Sequence, residues 1–377
     1  MSGDLKVLGL ARGKVVFLSL CALLAACSPP EPIRIGFVAG ISGRVADLGI
    51  AGRNAVILAV DEKNAAGGIA GRPVELLVRD DQQDVETARR VVQELIDARV
   101  EAVVGHMTSS MSAATLPLVN QARLPMISPT STSRIFSGLD DYFFRVIATT
   151  RMYAGDSARF HRERLKLARV VAIYDRRNRS YCESWLEDYR TAFEKAGGTM
   201  VEALAFDSGI ELQAGELAQQ LLAKRPDAIV IVANSVDAAQ ISQKIRARDA
   251  RVLLLASEWP STEQLIELGG RAVEGMYVAQ HFDRDSQSPA YLRFRAAYMA
   301  RFGQEPGFAG VAAYDAATIL LAALESKKPG QTLKEALLAI RDFPGLQETL
   351  GFDAYGETSR NHHIATIRDG RFVKIEP

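Results

Sequence analysis

The chain has 377 residues, 48% of them hydrophobic and 24% charged, a composition that excludes general disorder and allows about two domains. Of its 45 basic and 45 acidic residues, three basic and one acidic lie in the first 26, leaving 42 against 44 in the remainder. That slightly acidic balance argues against a nucleic-acid partner.

Taken in order, the chain opens with a leader. Lys6, Arg12 and Lys14 precede an apolar run from Val15 to Ala26, too short for the ~20 residues of a bilayer span and ending in small residues, as a secretory signal does. Leu24-Ala25-Ala26-Cys27 resembles a bacterial lipobox. The resemblance implies removal of residues 1–26, a lipid on Cys27 and a mature chain held outside the cytoplasm; a plain signal with an incidental cysteine is the alternative. Pro29, Pro30 and Pro32 suit an extended tether over residues 27–32. Cys21 leaves with the leader, so Cys182 stands alone, and neither an internal disulfide nor a cysteine metal cluster is expected.

From Ile33 onward, strand and helix patterns alternate. Strand Ile33–Val38 is followed by a helix carrying Val56, Ile57 and Val60 and closed by Gly67-Gly68, then by strand Val74–Val78. Asp84 opens an amphipathic helix with Val85, Ala88, Val91, Val92, Leu95 and Ile96 on one stripe. Strand Ala102–Val104 runs into Gly105-His106-Met107-Thr108-Ser109-Ser110. Helix Met111–Ala122 and strand Pro125–Ile127 run into Ser128-Pro129-Thr130-Ser131-Thr132-Ser133. The pattern restarts after Phe143–Val146, with strands at 169–174, 200–203, 228–232, 252–256 and 276–279 and helices at 152–165, 183–196, 212–223 and 236–248. Most of these strands are continuously apolar, as strands covered on both faces are, which predicts two doubly wound parallel sheets. Helices at 290–302, 310–326 and 333–340 follow, then short β-like pieces around 349–353, 363–368 and 371–375.

Several chemistries can be weighed on these residues. Gly36, Gly40 and Gly43 after the first strand lack the G-x-G-x-x-G spacing, and Asp80 lies far beyond the ~20 residues that a dinucleotide fingerprint expects, so no cofactor is expected. There is no G-x-S-x-G elbow and no H-E-x-x-H helix, which leaves no enzyme signature. His362-His363 reads as a solvated turn rather than a metal site, and His106 as either a hydrogen-bonded strand end or a ligand contact. The two hydroxyl clusters are either caps and turns or one anion-binding crevice at adjacent strand ends. Glu258, just after the strand at 252–256, is either a loop carboxylate or the acceptor for a ligand ammonium.

Ile33-Arg34-Ile35-Gly36-Phe37 with Ser42-Gly43, Asn64-Ala65-Ala66-Gly67-Gly68-Ile69-Ala70-Gly71-Arg72, Asp80-Asp81, Val104-Gly105 and Ile127-Ser128-Pro129 together resemble the leucine/isoleucine/valine-binding family, the extracytoplasmic solute-binding proteins of branched-chain amino acid ABC importers. The resemblance runs through essentially the whole mature chain. It implies a type I periplasmic-binding-protein fold: two α/β lobes joined by a three-stranded hinge. Lobe 1 would comprise 33–148 plus 281–347, and lobe 2 149–280 plus 348–377. By the same resemblance Ser109 holds a ligand carboxylate, Thr130 and Thr132 contact carboxylate and ammonium, Glu258 receives the ammonium, and Tyr181 closes the site. Leu48 stands where members often carry an aromatic and Asn234 where some use tyrosine, so both bear on the accepted side chain. Gln83 and Thr108 occupy the positions of a cysteine pair that links strand ends in some members. The implied partners are a small amino acid (aliphatic or branched-chain favoured, an amide or ω-amino acid as alternative), an inner-membrane ABC permease, and a membrane holding the lipid on Cys27. No metal is expected, and the chain is expected to act as a monomer. A ligand-sensing lipoprotein using the same cleft is the second reading.

Overall fold

The computed structural model describes residues 30–209 and 211–375. Residues 1–26, read above as a signal, and Cys27, read as its lipidation site, lie outside the described residues.

The first sheet contains β1 (Ile33–Ala39), β2 (Val74–Asp80), β3 (Val103–Gly105), β4 (Met126–Ser128) and β5 (Phe143–Arg145), all parallel in the order β2-β1-β3-β4-β5. Its central strands are mostly apolar because helices cover both faces: Ala46–Ala65 and Gly307–Ser326 pack together on one, and Val85–Asp97 packs against Ser109–Ala122 on the other. Asp84 caps its helix as the sequence predicts, its side chain accepting from the Thr87 amide at 2.8 Å. Gly307–Ser326 is long and apolar enough to cross a membrane, yet 78% of its most apolar window is buried inside this lobe, where it serves as a core helix.

The second sheet contains β6 (Arg169–Asp175), β7 (Thr199–Phe206), β8 (Ala228–Val232), β9 (Leu253–Ala256) and β10 (Tyr277–Gln280) in parallel. The pair β11 (Phe343–Pro344) and β12 (Thr349–Leu350) forms a small separate ladder. β13 (His363–Arg368) then joins β10 and β14 (Arg371–Lys374) joins β13, both antiparallel, giving the order β14-β13-β10-β9-β8-β6-β7. This sheet is therefore mixed rather than wholly parallel. The β13–β14 pairing has a local cause: Asp369-Gly370, with φ of 51° and 67°, makes the two-residue turn that antiparallel hairpins favour.

The chain passes between the sheets three times: after β5, after β10, and between Leu338 and β13. These crossings bring the carboxyl ends of β3, β4 and β9 to the same seam. Gly105 permits the approach on the first lobe. Its φ is 130°, and a Cβ there would sit 2.1 Å from the Val38 carbonyl oxygen. The lobes meet across the seam, where Arg44 pairs with Asp237 at 2.7 Å and Asp47 accepts from Ser235 Oγ and Thr262 Oγ1, each at 2.8 Å.

Candidate functional site

A small pocket lies at this seam. Lobe 1 lines it with Leu48, Met107, Thr108, Ser109, Thr130, Thr132 and Phe308; the second side contributes Asn178, Tyr181, Glu258 and Trp259; Ile147 and His281 come from the first two crossings. Of the residues singled out in the sequence, Leu48, Ser109, Thr130, Thr132, Tyr181 and Glu258 are brought together here.

The two hydroxyl clusters interlock. Thr108 stands at the N-cap of helix Ser109–Ala122, and the Ser109 hydroxyl accepts from the Ser133 amide at 3.3 Å, joining the first cluster to the second. Thr130 donates to the Met107 carbonyl at 2.6 Å, and Ser128 donates to the His106 carbonyl at 2.6 Å. The Thr132 hydroxyl is buried and has no hydrogen-bond partner among the described residues. Buried Arg145 holds the second cluster from below, donating to the Ser133 carbonyl at 2.8 Å while it pairs with Glu357 at 2.5 Å. The helix N-terminus and the free Thr132 hydroxyl together suit an anionic group.

Glu258 sits opposite, 3% exposed, at the carboxyl end of β9. One carboxylate oxygen accepts from Trp185 Nε1 at 2.9 Å; the other is buried without a partner among the described residues. Burial raises its pKa to about 7, against a partial offset from hydrogen bonding and from nearby His362. Tyr181, in the first turn of helix Arg179–Lys195, stands edge-on to Trp259 with ring centroids 5.6 Å apart. Burial and then the Glu258 carboxylate push its phenol well above the ordinary value, and its hydroxyl has no hydrogen-bond partner of good geometry among the described residues.

Asn234 is placed elsewhere. Its carbonyl accepts from the Asp237 amide at 3.0 Å as the N-cap of helix Ser235–Arg246, and its amide donates to Asp237 at 2.6 Å and Ser208 at 3.2 Å. It does not line the cavity; it orients the carboxylate that Arg44 engages across the seam. Gln83 and Thr108 are joined by a hydrogen bond of 3.2 Å. His106 is fully buried with Nδ1 2.6 Å from Asp81 and does not line the cavity, which resolves its two readings in favour of a hydrogen-bonded strand end. His362 is half-buried, 2.5 Å from Asp156 and edge-on to Tyr153, so the His362-His363 pair is not a solvated turn. No group of three or more metal-ligating side chains occurs among the described residues.

Sequence reasoning missed Phe308, Ile147, Asn178 and His281. His281 offered a signal: like Glu258, it is a polar residue just past the carboxyl end of a parallel strand. Phe308, inside an apolar helix, offered none.

The family model described as "Periplasmic binding protein" matches residues 32–376. The leucine-, isoleucine-, valine-, threonine-, and alanine-binding protein of Pseudomonas aeruginosa is 23% identical over 337 residues, covering 87% of each chain. Among solved structures, a branched-chain amino acid transporter substrate binding protein of Streptococcus pneumoniae in complex with isoleucine superposes with a TM-score of 0.83 at 26% identity, covering 91% of this chain and 98% of that one. An ABC-transporter solute binding protein of Rhodopseudomonas palustris in complex with benzoate superposes with a TM-score of 0.82 at 17% identity, covering 92% and 96%.

Proposed function

The chain belongs to the periplasmic binding protein family, and from that premise we propose that it captures a small α-amino acid between its lobes and delivers it to an ABC importer. The ligand carboxylate lies at the N-terminus of helix Ser109–Ala122, held by Ser109 and Thr132, while Thr130, whose hydroxyl proton goes to the Met107 carbonyl, offers its oxygen to the ammonium. The ammonium lies against the free oxygen of Glu258 and is closed over by Tyr181. The side chain rests on Leu48, Met107, Ile147, Trp259 and Phe308, an apolar wall that favours an aliphatic stem.

The observation that carries this reading is Glu258. A carboxylate 3% exposed, with one oxygen unpartnered among the described residues, is costly unless a cation completes it, and none of the described Lys or Arg residues lines the cavity. A ligand with separated positive and negative ends supplies that cation and also fills the hydroxyl-lined end. Binding in the open form and closure about the three crossings would then form the contacts of Arg44 and Asp47 across the seam. The carboxylate, hydroxyls and apolar wall serve binding and not catalysis. We place the mature protein outside the cytoplasm, tethered through Cys27.

The transport role is tested by uptake of labelled amino acids into cells with and without this chain. Loss of uptake of one small amino acid, restored by wild type and not by Ser109→Ala, supports it. Unchanged uptake, with tight binding by the isolated protein, would place the protein in ligand sensing instead.

A further inference from the structure

Three polar residues in the cavity are left unused by the two ends of an amino acid: Thr108 donates to Gln83 and Asn178 accepts from the Ser110 amide, whereas His281 has neither ring nitrogen engaged among the described residues. It is 5% exposed, lies on the crossing immediately after β10, and stands edge-on to Phe308 with ring centroids 5.1 Å apart. Both ring nitrogens are buried without a hydrogen-bond partner among the described residues. A buried imidazole in that condition forfeits two hydrogen bonds, a cost that a ligand group can remove.

We infer that His281 is a specificity-determining residue that recognises a hydrogen-bonding group on the ligand side chain, so that the preferred ligand is a small amino acid whose short aliphatic stem carries one uncharged hydroxyl or amide. This rests on the amino-acid reading above. The stem satisfies the apolar wall, and the polar tip satisfies His281. A charged tip is disfavoured because, among the described residues, no Lys or Arg lines the cavity and its one carboxylate is committed to the ammonium. Burial, together with Arg360, His362, His363 and Arg284 nearby, holds the imidazole uncharged, so it offers one donor and one acceptor, which matches a hydroxyl or an amide. The ring also borders a second, more polar cavity beyond the crossing, shared with His362 and Glu348. Water on that side is the competing partner for its nitrogens.

The test is calorimetric titration of the protein, freed of copurified ligand, with two pairs of matched shape: threonine against valine, and asparagine against leucine. The polar member of at least one pair binds about tenfold or more tightly than its apolar partner. In His281→Phe that ratio collapses toward one, while His281→Gln, which keeps a donor and an acceptor, retains a polar preference. Valine and leucine binding as tightly as threonine and asparagine to the wild-type protein would overturn the role of His281 while leaving the amino-acid reading intact. Because this comparison uses wild type alone, it can overturn the role of His281 even where a variant fails to fold. Failure of every α-amino acid to bind wild type would overturn both.

Discussion

Replacing Glu258 by glutamine separates the cost of this carboxylate in the empty protein from its use in the filled one. Burial lifts its pKa from 4.5 to about 7. The native state therefore binds more protons than the unfolded chain between those values, and the associated stability is present in full below about pH 4.5 and lost as pH rises through about 7. A shift of that size corresponds to roughly 3 kcal/mol. Glutamine stays neutral throughout, so ligand-free Glu258→Gln is expected to be more stable than wild type above pH 7, by up to about 3 kcal/mol, with the difference shrinking toward pH 4. Urea unfolding of both proteins across pH 4 to 8 measures it. Ligand reverses the preference: an ammonium favours the ionised carboxylate, so wild-type affinity falls by up to tenfold per pH unit below about 7, and the binding enthalpy depends on the heat of ionisation of the buffer. Glu258→Gln loses ~2–5 kcal/mol of binding and this pH dependence with it. Identical pH slopes of stability in the two proteins, or binding by wild type with no proton release, would refute the reasoning.

Two further outcomes follow from the seam and the crossings. Asp47→Ala removes the acceptor shared by Ser235 and Thr262, so ligand release measured by stopped flow is expected to quicken by about tenfold, with the association rate little changed. Arg360→Met leaves Asp315 charged and unpaired in a site where both side chains are about 2% exposed or less, which should cost ~3–5 kcal/mol in chemical unfolding.

The lobes were legible because most of their central strands are continuously apolar, a pattern that coverage on both faces produces. The antiparallel edge was harder to see. β13 and β14 return to the second sheet after a long excursion through the first lobe, and strand order across such an excursion leaves no periodic trace, although Asp369-Gly370 marks the turn. Ser109, Thr130, Thr132 and Glu258 were legible because each follows a strand end. Asn234 sits at a strand end as well, but Asn234-Ser235-Val236-Asp237 is a helix start, and its side chain is consumed by that cap. His281 and Phe308 show the opposite case. They meet at 5.1 Å only because the second crossing folds against helix Gly307–Ser326, a tertiary contact with no local signature.

The most direct test of the central claim is a thermal-shift screen of the protein, unfolded and refolded to remove copurified ligand, against the amino acids, their amides and short ω-amino acids. A small α-amino acid at a hundred times its Kd should add about 2.7 kcal/mol of stability, and Ser109→Ala should abolish the shift. If no compound bearing both an α-ammonium and an α-carboxylate stabilises the wild-type protein, the cleft is not an amino-acid site.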